Sequence, residues 1–147
     1  MADLPFRILP QITDLNRSFW TSGHDGHLRF LRCDQCGYYI HPPAPICPRD
    51  LSKDLSSAAV SGTATVASFT INHQAWMPGP DLPYVVAIVE IDEQPSVRLT
   101  TNIVNCEPEK VHIGMRVRVT FEQRADAQDP DRDLWIPIFE PLPGDTA

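Results

Sequence analysis

Three of the four cysteines and one aspartate have the spacing of metal ligands. Two residues separate Cys33 from Cys36, ten separate Cys36 from Cys47, and two separate Cys47 from Asp50. The thiolates of a C-x-x-C pair converge on one ion, and zinc also accepts a carboxylate oxygen. In a reducing compartment such a pair indicates a metal site rather than a disulfide. We therefore predict that Cys33, Cys36, Cys47 and Asp50 hold a structural zinc ion.

Two alternatives to this ligand set remain open from the residues alone. His41, between the two cysteine motifs, offers a different fourth ligand. A ribbon that has lost its metal would instead keep Cys33, Cys36 and Cys47 as small buried apolar side chains. A catalytic zinc is disfavoured, because a ribbon between surface loops holds the chain together and offers no cleft for a substrate.

No other group of residues has the pattern of an active site, so we predict no catalytic residue. Cys106 stands alone after a strand-like run, without the histidine partner that a nucleophilic cysteine uses, and is predicted to be a half-buried structural residue. The five histidines are scattered. The acidic segment from Asp126 to Asp133 lacks the glycine and terminal glutamate of a calcium loop, which predicts a solvated turn.

The proline content and the net charge restrict the possible fold classes and binding partners. The 147 residues include 15 prolines, which are poorly tolerated inside helices and central strands. The net charge is −7, and all of the excess lies in residues 51–147, which disfavours a binder of nucleic-acid phosphates. No apolar run approaches the roughly 20 residues that span a bilayer. The first ten residues, with Asp3, lack a signal-peptide pattern, which predicts a cytoplasmic protein.

Residues 1–57 are predicted to form an N-terminal helix and a zinc ribbon. Within residues 11–27, Thr13 can cap the first helical turn, and Leu15 and Phe19 share one face. Residues 28–50 then form two short strands around the two cysteine motifs. The N-terminal module is therefore a helix followed by a ribbon.

Residues 58–147 alternate with the period of β-strands. The first strand runs from residue 58 to residue 71, with a bulge or bend at Gly62. Pro137 marks an edge or barrel rim in the last strand. Five strands joined by hairpins and one long loop indicate a barrel of the oligonucleotide/oligosaccharide-binding (OB) type, so the whole chain is predicted to be mainly β. The four later strands are predicted at residues 84–92, 96–104, 116–124 and 134–141.

Several short segments, in this order and spacing, carry a family resemblance. The sequence resembles the acyl-CoA-associated zinc-ribbon/OB-fold proteins that accompany thiolase-like enzymes and steroid side-chain aldolases. The resemblance implies a rubredoxin-like zinc ribbon, an OB barrel and a role as a non-catalytic partner subunit. Asp50 departs from the family, which has a cysteine as its fourth ligand. The segments that carry the resemblance are residues 16–20, 25–28, 33–37, 41–43, 47–48, 83–89, 101–106, 108–109 and 113–117.

Five residues are candidates for contact with coenzyme A. Arg29, Arg32 and Arg49 surround the cysteine motifs and can bind phosphates through their guanidinium groups. Phe19 and Trp20 can line a slot for the pantetheine arm between the helix and the barrel. The alternative is that the arginines only solvate the ribbon and that the two aromatic rings dock the helix.

A proline-rich loop is the candidate surface for a protein partner. Trp76 and Met77 lie in this loop and Tyr84 follows it. Exposed aromatic and Met side chains favour a protein interface, although the loop could instead fold back and cap the barrel.

Three functions are therefore compared. The first is a partner subunit that helps to form the acyl-CoA site of a thiolase-like or aldolase enzyme and stabilises the complex. The second is a stand-alone acyl-CoA-binding module. The third is a nucleic-acid-binding OB/zinc-ribbon protein, which the excess of acidic residues disfavours.

Overall fold

The computed structural model of the chain describes residues 7–144. Asp3, on which the signal-peptide argument depended, lies outside these described residues. The fold is mainly β, with one short helix, a three-stranded sheet and a closed five-stranded barrel, as predicted. The helix is α1 (Arg17–Thr21), and the strands are β1 (Arg29–Cys33), β2 (Tyr39–Ile40), β3 (Leu55–Ala59), β4 (Thr63–Asn72), β5 (Tyr84–Ile91), β6 (Gln94–Ile103), β7 (Arg116–Ala125) and β8 (Asp133–Pro141).

The N-terminal helix is shorter than the sequence suggested. It begins at Arg17 and passes into a 3₁₀ helix at Ser22–Asp25, so the prediction of a helix from residue 11 was wrong. Thr13 and Asn16 bind each other instead: the Thr13 N–H donates to Asn16 Oδ1 at 2.7 Å, and the Asn16 N–H donates to Thr13 Oγ1 at 3.3 Å. Such side-chain-to-backbone bonds favour a turn over a helix.

The long strand predicted from residue 58 is two strands in different sheets. β3 pairs with β1 in the ribbon sheet, whereas β4 pairs with β5 and β7 in the barrel. Gly62 lies between them with φ +86°, and its carbonyl accepts a hydrogen bond from the Val119 N–H at 2.8 Å. A side chain there would collide with Val119, because a Cβ would lie 2.7 Å from Val119 Cγ1. The division of the chain at residues 57 and 58 stays a prediction.

The barrel closes in the order β4-β5-β6-β8-β7. Alternate residues of β5 are buried inside it, and the residues between them are half-buried, although the sequence of this strand is a nearly continuous apolar run. The weakest seam lies between β6 and β8, which pair in parallel only at Ile103 and Phe139. Beside this seam the carbonyl of Pro137 accepts a hydrogen bond from the Thr101 hydroxyl at 3.0 Å. Pro137 is paired with Phe121 of β7 and lies two residues before the single pairing of β8 with β6.

The acidic segment between β7 and β8 is only partly a solvated turn, so the prediction of a solvated turn was wrong at Asp126. Asp126 is only 5% exposed, and its carboxylate is 2.7 Å from the Arg132 guanidinium. The Gln128 N–H also donates to this carboxylate at 2.9 Å. The hydrogen bond from the Gln128 N–H is the largest cause that lowers the pKa of Asp126, and the hydrogen bond from Arg132 is the second. Asp126 therefore closes the loop as a buried anion, whereas Asp131 is exposed.

The helical segment packs against the outside of the barrel at Gly23. This residue is buried, and a Cβ at its position would lie 2.6 Å from the Phe121 ring and 2.9 Å from Trp135 Cβ. The absence of a side chain at this point lets the backbone approach β7 and β8 closely. No helix among residues 7–144 is long and apolar enough to cross a membrane.

Replacing Gly23 by alanine is expected to destabilise the fold by about 1–3 kcal/mol, because the added methyl group overpacks the contact with Phe121 and Trp135. Urea unfolding followed by circular dichroism measures the effect. His24→Ala, at the exposed neighbouring position, is the control and should change stability little. Equal unfolding midpoints for Gly23→Ala and wild type would contradict the proposed close contact.

Candidate metal centre and neighbouring grooves

The first cysteine motif forms a tight knuckle at the end of β1. The carbonyl of Cys33 accepts a hydrogen bond from the Gly37 N–H at 2.9 Å, and the Cys33 N–H donates to the carbonyl of Tyr38 at 2.9 Å. Gly37 has φ +79°, the left-handed conformation that glycine adopts without strain. This turn brings the Cys33 and Cys36 side chains to the same place.

The second knuckle repeats this geometry without a glycine. The carbonyl of Cys47 accepts from the Leu51 N–H at 3.0 Å, and the Cys47 N–H donates to the carbonyl of Ser52 at 2.9 Å. The offsets along the chain equal those of the first knuckle. Asp50 therefore occupies the position that Cys36 has in the first knuckle.

The structure brings all four predicted ligands together. Their ligand atoms lie within 4.8 Å of one another, with Cys33 and Cys47 buried and Cys36 and Asp50 exposed. The Sγ atoms of Cys36 and Cys47 are 3.6 Å apart, and Cys33 Sγ lies 3.5 Å from both carboxylate oxygens of Asp50. A tetrahedral ion with zinc–sulfur bonds of about 2.3 Å requires sulfurs roughly 3.8 Å apart. The arrangement has the dimensions of a tetrahedral metal site.

Backbone N–H groups favour the anionic forms of Cys33 and Asp50, two of the four residues in the cluster. The N–H of Cys36, and to a smaller extent that of Gln35, lowers the pKa of the Cys33 thiol against the opposing effect of burial. The Ser52 N–H donates to Asp50 Oδ1 at 3.0 Å and lowers the pKa of that carboxyl. The Arg49 N–H points to Cys47 Sγ at 3.4 Å.

His41, the alternative fourth ligand, lies outside this four-residue cluster. Its ring packs against the rings of Phe19 and Phe30, at centroid distances of 4.9 Å and 5.1 Å. Burial among these aromatic rings lowers the pKa of His41. The residue is therefore part of the apolar contact between the helix and the ribbon.

Leu51 is a feature of the site that sequence reasoning missed. It has φ +63° at the place where the first knuckle has Gly37, and its side chain is 73% exposed. A leucine is strained in the left-handed region. No sequence signal could reveal this, because a glycine marks such a turn and none stands at position 51.

Replacing Leu51 by glycine is expected to stabilise the chain by about 0.5–1 kcal/mol. The relief of left-handed strain, about 1–2 kcal/mol, exceeds the extra chain entropy of glycine. Thermal unfolding of the metal-loaded protein measures the change. Ile113→Gly is the control at a second exposed apolar position, where glycine should not stabilise. A loss of stability in Leu51→Gly would contradict the strained knuckle.

Arg29 is engaged in an ion pair that holds the end of the helical segment. Its guanidinium lies 2.7 Å from the Asp25 carboxylate and donates to the carbonyl of Ser22 at 2.8 Å. The hydrogen bond from Arg29 lowers the pKa of Asp25 and the same bond raises the pKa of Arg29. This arginine has a structural partner within its own chain.

The other two arginines stack on separate tyrosines. The Arg32 guanidinium lies 5.2 Å from the centre of the Tyr39 ring, and the Arg49 guanidinium lies 5.5 Å from the centre of the Tyr38 ring. Both exposed guanidinium groups are held by cation–π contacts. In the described part of the chain the three arginines have three different partners and do not form one cluster.

A groove lies where a pantetheine slot was predicted, between α1, the ribbon and the barrel. It has a volume of about 420 Å³. Phe19 is only 7% exposed and docks the helix, whereas Trp20 is half-buried and lines the groove, its ring packed edge-on against Phe19 at 4.7 Å. Arg98 is the guanidinium that lines this groove, and sequence reasoning missed it. We call this the junction groove, lined by Asn16, Phe19, Trp20, His41, Pro42, Pro43, Arg98, Leu99 and Thr100.

The proline-rich loop borders a second groove, of about 450 Å³. Met77 and Tyr84 both line it, together with the exposed Ile8. Trp76 is 76% exposed, and its indole N–H donates to Asn72 Oδ1 at 2.9 Å. The three predicted interface residues therefore lie in and beside one loop, with Trp76 facing solvent. We call this second groove the loop groove.

An ion triad lies in the wall of the loop groove and carries no sequence signal. Glu122 accepts hydrogen bonds from Arg7 Nε at 2.8 Å and Arg124 Nε at 2.7 Å. Burial raises the pKa of Glu122, but Arg124 and Arg7 together outweigh it, so the pKa lies below its usual value. Arg7 and Glu122 are 115 residues apart, and only folding brings them together.

Cys106 lies apart from the metal centre, as its position in the sequence suggested. It is half-buried, its Sγ points to the carbonyl of Glu107 at 3.3 Å, and burial raises the pKa of its thiol. A raised pKa leaves the thiol protonated and weakly nucleophilic.

Comparison with known proteins finds two family models that match consecutive segments of the chain. Residues 20–56 match the family described as ChsH2, rubredoxin-like zinc ribbon domain, and residues 58–122 match ChsH2, C-terminal OB-fold domain. The solved structure named Ltp2-ChsH2(DUF35) aldolase contains a chain similar to this one, with a TM-score of 0.77 and 34% identity. The match covers 90% of this chain and 98% of that one.

Two curated relatives extend this picture. A DUF35 domain-containing scaffold protein of Methanocaldococcus jannaschii is 35% identical over 114 residues, which cover 76% of this chain and 79% of the relative. A probable enoyl-CoA hydratase alpha subunit of Thermomonospora curvata is 35% identical over 132 residues, which cover 90% of this chain. The chain spans only 39% of the length of that hydratase subunit.

Proposed function

The chain belongs to the DUF35 family of ChsH2-type zinc-ribbon and OB-fold proteins, and we propose that it is a non-catalytic partner subunit of an enzyme acting on CoA thioesters. The observation that carries the proposal is the likeness, over nearly all of both chains, to a chain of the Ltp2-ChsH2(DUF35) aldolase. A relative named as a hydratase alpha subunit supports the same role. The catalytic partner would be a thiolase-like or aldolase protein that makes or breaks C–C bonds.

We also propose that the metal centre holds a structural zinc ion. Three cysteine sulfurs and one carboxylate, at distances that suit a tetrahedral ion, are ligands that zinc accepts. When bound, the ion cross-links the two knuckles. Cys33 and Cys47 supply buried ligands, and Cys36 and Asp50 close the exposed side. Thiolates that stay reduced favour a cytoplasmic location, which we propose on that ground.

The purified protein is expected to contain about one zinc ion per chain. Asp50→Ala should weaken zinc binding by about a hundredfold, since loss of even an outer-shell partner costs 10–100-fold, whereas Asp50→Cys should retain the metal. Elemental analysis and competition with a chromogenic chelator measure occupancy and affinity. Asp131→Ala, at an exposed acid in the loop between β7 and β8, is the control. Absence of zinc from wild type and Asp50→Cys alike would identify a ribbon that has lost its metal.

The CoA thioester is proposed to bind at the boundary between this chain and its catalytic partner. The junction groove provides an apolar wall with Phe19 and Trp20, and Arg98 places a cationic group beside it. The phosphate-binding roles of Arg29, Arg32 and Arg49 stay predictions. Arg32 and Arg49, whose guanidinium groups are exposed, suit that role better than Arg29, which is paired with Asp25.

The partner surface is proposed to include Trp76, Met77 and Tyr84. Trp76→Ala should weaken association with the catalytic subunit by about tenfold or more, because aromatic anchors dominate interface energies. The measurement is a binding titration against a thiolase-like or aldolase catalytic subunit. Ile113→Ala removes a comparably exposed apolar side chain elsewhere and should bind normally. Equal affinities for the two variants would remove Trp76 from the interface.

The partner role itself is tested by activity. C–C bond cleavage or formation is expected only when the chain is co-expressed with its catalytic subunit, and turnover by the purified chain alone would overturn the proposal. The alternative, a stand-alone acyl-CoA-binding module, draws support from the volume and apolar wall of the junction groove. Calorimetric titration of the isolated chain with an acyl-CoA decides that alternative.

A further inference from the structure

A single glutamine side chain joins the ribbon to the barrel by two hydrogen bonds. Gln94 opens β6, and its Oε1 accepts from the Tyr39 N–H at 2.9 Å while its Nε2 donates to the Tyr39 carbonyl at 2.9 Å. Tyr39 belongs to β2, which is an edge strand of the ribbon sheet. The amide thus pairs with the outer edge of β2 as a neighbouring strand would.

The two walls of the junction groove are formed by residues that follow Tyr39 and Gln94 along the chain. His41, Pro42 and Pro43 follow Tyr39 after two residues and form the ribbon wall. Arg98, Leu99 and Thr100 follow Gln94 after four residues and form the barrel wall. The contact therefore lies two to four residues along the chain from the ribbon wall and four to six residues from the barrel wall.

We propose that Gln94 is a positioning residue that sets the separation of the two walls of the junction groove. Apolar packing between Phe30 and the barrel core holds the modules together, but it is non-directional. The paired bonds of Gln94 add direction, because they hold the N–H and the carbonyl of Tyr39 in a defined position relative to the start of β6. The identity of the occupant, an acyl-CoA, rests on the proposed function, whereas the positioning role does not.

The metal centre is connected to the same contact through two adjacent residues. The carbonyl of Tyr38 accepts the hydrogen bond of the Cys33 N–H, and the next residue, Tyr39, is held by Gln94. The geometry of the first knuckle therefore reaches the groove wall through β2. This connection links the metal centre in the ribbon to one wall of the junction groove.

The decisive experiment measures amide exchange and fluorine spectra of Gln94→Met, a variant of similar size that loses both bonds. Exchange of the Tyr39 amide, followed by NMR, is expected to become about tenfold faster. The resonance of 5-fluorotryptophan at position 20 should shift or broaden, while that at position 76, outside the groove, should not. Gln123→Met, an exposed glutamine on β7, is the matched control and should leave both signals unchanged.

Gln94→Glu is the second variant, and it decides the question if Gln94→Met does not fold. Its carboxylate can still accept from the Tyr39 N–H but cannot donate to the Tyr39 carbonyl, so exchange should fall between wild type and Gln94→Met. Tyr39 exchange within twofold of wild type in the folded variants, with an unchanged signal from position 20, would overturn the positioning role.

Titration with octanoyl-CoA separates this inference from the proposed function. If Gln94→Met changes exchange and the fluorine signal and also weakens octanoyl-CoA binding severalfold, both are supported. If the two spectroscopic signals change but octanoyl-CoA binds neither variant nor wild type, the positioning role stands and the acyl-CoA occupant of the isolated chain is rejected.

Discussion

The packing of Phe19, Phe30 and His41 is the contact on which the arrangement of the molecule depends. Phe19 comes from the helix, Phe30 from the first ribbon strand and His41 from the loop after β2, and their rings lie 4.9 to 5.7 Å apart. Phe19 and Phe30 belong to the same buried cluster as the barrel interior. Removing these surfaces from water joins three elements that could not each bury a core alone. The junction groove lies beside this cluster because the three elements meet there.

Polar contacts then give this apolar arrangement its direction. The β5–β6 turn is central, since Asp92 accepts from Arg116 at 2.6 Å and Glu93 accepts from the Ser61 N–H at 2.6 Å. The same turn leads into Gln94, which holds Tyr39. The β5–β6 hairpin of the barrel thus contacts the segment between β3 and β4, strand β7 and the ribbon. The two modules are therefore oriented by contacts within this chain.

Much of the fold could be predicted because its signals are local. The apolar run of β5, the alternation along β6, the turn between these two strands and the C-x-x-C spacing all depend on residues close in sequence. The prediction of a helix from residue 11 was wrong because Thr13 and Asn16 bind each other in a turn. Residue type alone does not decide between such a turn and a helix. The division between β3 and β4 was missed because strand periodicity does not tell which sheet a strand joins.

Residue types in a fixed order were enough to indicate the four residues of the candidate metal centre, the five barrel strands and the family. Which side chains meet across long separations follows from the folded arrangement alone. Folding brings together three pairs of residues that are distant in sequence. These are Arg7 with Glu122, Gln94 with Tyr39, and Trp20 with Arg98 in one groove. The physical reason is that spacing along a chain constrains neighbours within a turn or strand, whereas distant contacts are set by the packing of whole elements.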